Sequence, residues 1–255
     1  MTHDNGNWDF DSPIAALRCG GLAARVDVSR PQQGVYDLSV NSSKVAGTLF
    51  AIEWIAEKPA DSTESVLSAG WPMGVADAYV RGCDLVATYG RMPNSPYSPQ
   101  IYWRVEQGAT QRVPGREQEG LSLIVSVQTD LLDSHPQIRV TTRLAADELI
   151  EHRALSIEHP ASSIEHPASC LLWRLAGGKL SYAEIVPESD FRQLTVERDA
   201  DGVASVHWDL FAEFLEKGVI RRARIQGAFL PRQDDIELAA ACCRAIDRRA
   251  LPLTT

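Results

Sequence analysis

LLWRLAGGKLSYAEIVPESDFRQLTVERDADGVASVHWDLFAEFLEKGVIRRARIQGAFL, residues 171–230, decides the fold class. Apolar and polar residues alternate through most of it, and the alternation is interrupted by turn residues. Gly177-Gly178 fits a two-residue hairpin loop, because such loops need positive φ and glycine adopts it at no steric cost. That loop sets Leu175 against Leu180 and Trp173 against Tyr182. Asp199-Ala200-Asp201-Gly202 fits a type I turn closed by a left-handed glycine. Closed at Asp199 and Val203, it sets Val196 against Val206 and Leu194 against Trp208. Leu215-Glu216-Lys217-Gly218 fits a four-residue loop, opposing Leu210 with Ala223, Trp208 with Ile225, Asp209 with Arg224 and Phe211 with Arg222. A slip of one residue would turn every apolar side chain to the wrong face. The stretch therefore predicts a run of antiparallel hairpins. A helix over Asp209–Lys217 is the competing reading, since short apolar runs satisfy both periods.

The same pattern extends upstream. Strands are predicted at Leu22–Val28, Val35–Val40 and Val45–Ile55, with Arg30–Gly34 as the first turn. Val75–Val80 and Leu85–Tyr89 form a hairpin across Gly82-Cys83, with Val80 opposite Leu85, Arg81 opposite Asp84 and Asp77 opposite Thr88. Gln100–Val105 is a strand. Leu121–Gln128 and Ile138–Leu144 are read as a further hairpin. Twelve to fourteen strands fit in all. A C-terminal helix is predicted over Asp234–Arg248, where Asp234 can cap and the apolar side is Ile236, Leu238, Ala239, Cys242, Cys243 and Ile246. A short helix is predicted near Ala145–His152. Strand–helix–strand alternation, a glycine-rich dinucleotide fingerprint and a P-loop are all missing. The expectation is a mainly-β protein: residues 1–13 a flexible tail, residues 14–255 one large antiparallel β-sandwich.

Residues 150–170 contain a repeat, with Ser156–Ser162 (SIEHPAS) recurring as Ser163–Ser169. It spaces Glu151-His152, Glu158-His159 and Glu165-His166 by seven. Pro160 and Pro167 exclude a helix that would stack the imidazoles, and an extended chain puts alternate repeats on opposite sides. The repeat reads as a duplicated loop, and no metal is expected.

The chain has 255 residues, with a net charge of -9, 44% hydrophobic and 23% charged residues. That balance is ordinary for a globular protein. It argues against nucleic-acid partners, which need a cationic footprint, and against an anionic membrane surface. The five cysteines are odd in number and lack a C-x-x-C spacing, so reduced thiols are expected. A polar, acidic N-terminus without an export signal makes a cytoplasmic protein the expectation.

Two strands carry an aromatic–basic pair on one face, Tyr79-x-Arg81 and Tyr102-x-Arg104, with Asp77 beside the first. Guanidinium forks match carboxylates, and flat rings pack on sugar faces. These five residues are the candidate ligand site for a sugar or a small acidic ligand, against the alternative of a solvated strand face. His207, on a polar strand face with Ser205 and Asp209, is the catalytic candidate; Glu184 or Glu213 could partner it. No cofactor motif is present.

This layout, many antiparallel strands closed by a helix, resembles the galactose-mutarotase-like β-supersandwich group, which contains sugar epimerases. The resemblance covers most of the chain as layout and matches no local motif. It implies a carbohydrate ligand and carries over no catalytic residue. Three functions stay open: a carbohydrate-binding protein, an epimerase-like enzyme using His207, and an interaction scaffold.

Overall fold

The computed structural model describes residues 7–55, 71–90, 97–107, 119–132, 134–153, 168–199, 202–211 and 214–246. Among them are sixteen strands and one α-helix. In chain order the strands are β1 (Trp8–Asp11), β2 (Ile14–Cys19), β3 (Leu22–Asp27), β4 (Val35–Val40), β5 (Ser43–Lys44), β6 (Gly47–Trp54), β7 (Val75–Arg81) and β8 (Asp84–Tyr89). They continue as β9 (Tyr97–Gln107), β10 (Glu119–Thr129), β11 (Ile138–Arg153), β12 (Ala168–Leu175), β13 (Leu180–Pro187), β14 (Phe191–Arg198), β15 (Val203–Leu210) and β16 (Ile220–Pro231), before α1 (Asp235–Ile246).

The strands form two layers that share β11. Its first half pairs with β6 on one side and β15 on the other. Its second half pairs with β12. The first layer runs β1-β2-β3-β4-β6-β11-β15-β14, and the second β11-β12-β13-β16-β10-β9-β8-β7. All pairings are antiparallel. Side chains alternate along each strand, so each layer turns one apolar face inward. Trp103, Trp173 and Trp208 are fully buried in the core between the layers. On the outer side of the second layer, Leu238, Ala239, Cys242 and Ile246 of α1 pack on Cys170, Leu172, Ala183, Ile185, Ala228 and Leu230. The helix thus covers the β12-β13-β16 half of that face; among the described residues no helix lies over the β7-β8-β9-β10 half.

Two of the three hairpins in residues 171–230 form in the expected register. Trp173 faces Tyr182 across Gly177-Gly178, and both glycines have positive φ. Leu194 faces Trp208 and Val196 faces Val206, with the turn closed by a bond from the Asp199 amide to the Val203 carbonyl (3.1 Å). The third hairpin is overturned. β15 pairs with β11 and β14 in the first layer, and β16 with β10 and β13 in the second. The chain crosses between layers after β13 and again after β15. Alternation says which side chains point inward, and Leu210 and Ala223 both do. It does not distinguish a hydrogen-bonded neighbour from a strand facing it across the core. Asp209 accordingly pairs with Arg139 (2.7 and 3.1 Å) rather than with Arg224. Asp209–Leu210 end a strand, so the helical reading also fails.

Four other expectations change. Residues 8–11 are not tail: they form β1 against β2, and Trp8 is buried with its indole N–H on the Cys83 carbonyl (3.2 Å). β10 and β11 are not a hairpin, because β9 and β16 flank β10. Ala145–His152 is not helical. Its helix-forming composition loses to pairing with β12, with a bulge between Ala146 and Glu148. The strand count exceeds the expected range. The Val80–Leu85, Arg81–Asp84 and Asp77–Thr88 pairs form as read. None of the five cysteines is in a disulfide. Residues 154–167 of the repeat lie outside the described residues.

Candidate functional site

The outer face of the second layer carries the candidate residues in three cross-strand rows. One row reads Arg81, Asp84, Arg104, Ser122, Gln226 across β7, β8, β9, β10 and β16. The next reads Tyr79, Val86, Tyr102, Ile124, Arg224. The third reads Asp77, Thr88, Gln100, Ser126, Arg222. All five residues of the sequence-derived candidate site therefore share one face. The two Tyr-x-Arg strands are not neighbours, because β8 lies between them. The two tyrosines stand about 10 Å apart, two strand spacings.

Asp84 organises the first row. It is buried and accepts two bonds from the Arg104 guanidinium, 2.6 Å at Nε and 2.8 Å at Nη2. Arg81 reaches the same carboxylate at 3.9 Å from a more exposed position. Arg104 is thus already committed to a protein carboxylate. The hydrogen bonds to Asp84 hold its guanidinium above the usual arginine range.

Tyr102 is buried beside Val86 and Ile124, a small apolar cluster on this otherwise polar face. Its hydroxyl donates to Gln100 Oε1, and Gln100 Nε2 donates to Thr88 Oγ1 (2.9 Å). Burial, and then the Tyr79 phenol, push the Tyr102 hydroxyl up; Arg222 and Arg81 pull against that rise. Tyr79 and Asp77 are exposed. The face therefore has an accessible edge (Asp77, Tyr79, Arg81) backed by a hydrogen-bonded floor (Asp84, Gln100, Tyr102, Arg104). Arg222 and Arg224, which the sequence placed beside His207, belong here. Arg224 also donates to the Ile246 carbonyl at the end of α1 (2.5 Å).

His207 lies on the opposite outer face, on the first layer. Its Nδ1 is 2.9 Å from Thr141 Oγ1, and its Nε2 is 3.7 Å from Glu197. Arg139–Asp209 and Arg143–Asp199 ion pairs flank it. Glu184 does not partner it. Glu184 is fully buried between the layers, accepting from Thr142 Oγ1 (2.6 Å), Tyr182 (3.0 Å) and Trp208 Nε1 (2.6 Å). Burial pushes its carboxyl up to about 7 against the pull of these three donors. The signal was legible: Tyr182 faces the core, and alternation puts Glu184 on the same side. Glu213 lies outside the described residues. Among the described residues, no group of three or more His, Cys, Asp or Glu side chains could hold a metal ion. No described helix is long and apolar enough to cross a membrane.

No family model and no curated protein matches the sequence. A galactose mutarotase-like protein from Clostridium acetobutylicum superposes with a TM-score of 0.52 at 7% identity, over 86% of this chain and 95% of that one. A candidate mutarotase from Salmonella typhimurium gives 0.49 at 7% identity over 86% and 90%. A candidate aldose 1-epimerase from Klebsiella pneumoniae gives 0.48 at 10% identity over 95% and 87%. The first likeness shows the fold: the chain is a mainly-β sandwich folded like that galactose mutarotase-like protein.

Proposed function

We propose that this chain binds a carbohydrate or a small carboxylated ligand on the outer face of the second layer. The observation that carries the reading is the shared face of Asp77, Tyr79, Arg81, Tyr102 and Arg104, on a fold like that of a galactose mutarotase-like protein. Tyr79 offers a ring face for the apolar side of a sugar. Arg81 offers a guanidinium to hydroxyl or carboxylate oxygens, and Asp77 accepts from hydroxyls. Tyr102 and Arg104 act from below, holding the floor on which the edge stands.

A glycan array followed by titration calorimetry tests this. The wild-type chain should bind at least one neutral or acidic glycan, and Tyr79→Ala with Arg81→Ala should abolish that binding without altering the circular dichroism spectrum. Unchanged affinity, or no binding to any glycan or small carboxylate at millimolar concentration, overturns it. A second reading, an epimerase-like catalyst with His207 as acid or base, is favoured by the Glu197 carboxylate 3.7 Å from the imidazole. Polarimetry on freshly dissolved α-glucose and α-galactose distinguishes it. Accelerated mutarotation lost in His207→Ala would move the site to the first layer.

A further inference from the structure

Five of the seven exposed large hydrophobic residues among the described residues lie on two adjoining loops. Leu131 (46% exposed) and Leu132 (79%) follow β10; Phe214 (51%), Val219 (43%) and Ile220 (45%) precede or open β16. The loops are fastened to one another. Ser134 and Leu215 exchange both backbone bonds (2.7 and 3.1 Å), and the Ser134 hydroxyl adds a third to the Leu215 carbonyl (3.1 Å). The Gly218 amide donates to the Thr129 carbonyl (3.1 Å), and Gln128 faces Ile220 across the β10–β16 ladder. Ser134 and Leu215 are buried, so the exposed side chains sit on an anchored mount.

We propose that this loop pair is the contact surface of a weak homodimer, each copy covering the other's apolar loops about a two-fold axis. Two observations favour a second copy over another partner. Five side chains exposed to this degree present roughly 500 Å² of apolar surface, at the upper end of what monomers leave uncovered. Two such surfaces face to face cover about 1,000 Å², the lower limit for a specific interface. The second observation is charge. The chain as a whole is strongly acidic at -9, but Glu216 and Lys217 stand side by side and exposed on the β15–β16 loop. Across a two-fold axis each Lys217 meets the other copy's Glu216, a self-complementary arrangement.

Sedimentation velocity on the full chain from 1 to 300 µM tests this. The sedimentation coefficient should rise from the monomer toward the dimer value, with a midpoint in the tens of micromolar. Leu132→Asp with Phe214→Asp should hold it at the monomer value throughout; both side chains are exposed, and circular dichroism checks that the variant folds. Glu216→Lys alone and Lys217→Glu alone should each weaken association, and an equimolar mixture of the two variants should restore it. A monomer at every concentration overturns the proposal, as does association that the Leu132/Phe214 variant leaves intact. Co-sedimentation of the full chain with vesicles of phosphatidylcholine and phosphatidylserine, lost in the same variant without a dimer in solution, would assign the patch to a lipid surface and also overturn it.

Discussion

Replacing Glu184 by glutamine should make the protein more stable at alkaline pH, and remove a pH dependence the wild type carries. Glu184 is fully buried, and its three partners, Thr142, Tyr182 and Trp208, are neutral. Burial raises its carboxyl from 4.5 to about 7. Between those values the folded chain holds a proton that the unfolded chain has lost, so stability falls as pH rises through the window and levels off above it. A shift of that size corresponds to about 3 kcal/mol. Glutamine has nearly the same shape and no charge. Its carbonyl oxygen can accept from Trp208, and its amide can donate to the Thr142 and Tyr182 hydroxyl oxygens, which rotate to suit. Urea unfolding followed by tryptophan fluorescence, at half-unit steps from pH 5 to 9, measures the difference between the two chains. It should be near zero at pH 5 and reach about 3 kcal/mol in favour of Glu184→Gln by pH 8.5, a melting-temperature gain on the order of 10 °C. Parallel curves for the two chains across the whole range would refute the reasoning. Trp208→Phe should act in the opposite direction, costing about 2–4 kcal/mol from lost volume and a lost donor.

Two other outcomes follow from the fold. Asp84→Ala should destabilise the chain by about 1–3 kcal/mol, because it strands the Arg104 guanidinium, and it should also weaken any glycan binding; urea midpoints and calorimetry on one preparation check both effects. Gly202→Ala should cost about 1 kcal/mol although open space surrounds the position, because φ there is +79°; an unchanged urea midpoint would mean that the Asp199–Gly202 turn relaxes.

Much of the candidate site was legible in the sequence. Period-two alternation put Tyr79 with Arg81 and Tyr102 with Arg104 on common faces, and the Gly82 turn gave the Arg81–Asp84 pair directly. The position of β8 between the two Tyr-x-Arg strands was not legible from pattern alone. Neither was the bidentate hold of Asp84 on Arg104, which is a contact between neighbouring strands twenty residues apart. Glu184 shows the opposite failure. Its inward position was available from Tyr182, yet a lone glutamate among apolar residues gives no hint of the Thr142 and Trp208 donors, which come from the other layer.

The sequence by itself determined what depends on neighbours along the chain: strand phase, the Gly177-Gly178 and Asp199–Gly202 hairpins, α1 and its apolar side apart from Ile236, which is exposed, and which residues face the core. Only the tertiary structure decided which strands pair when the chain between them crosses from one layer to the other. Alternating side chains specify a face, and a face can be buried equally well by a hydrogen-bonded neighbour or by the opposite sheet. That degeneracy sent His207 with Asp209 to one outer surface, and Arg222 with Arg224 to the other, beside Tyr102.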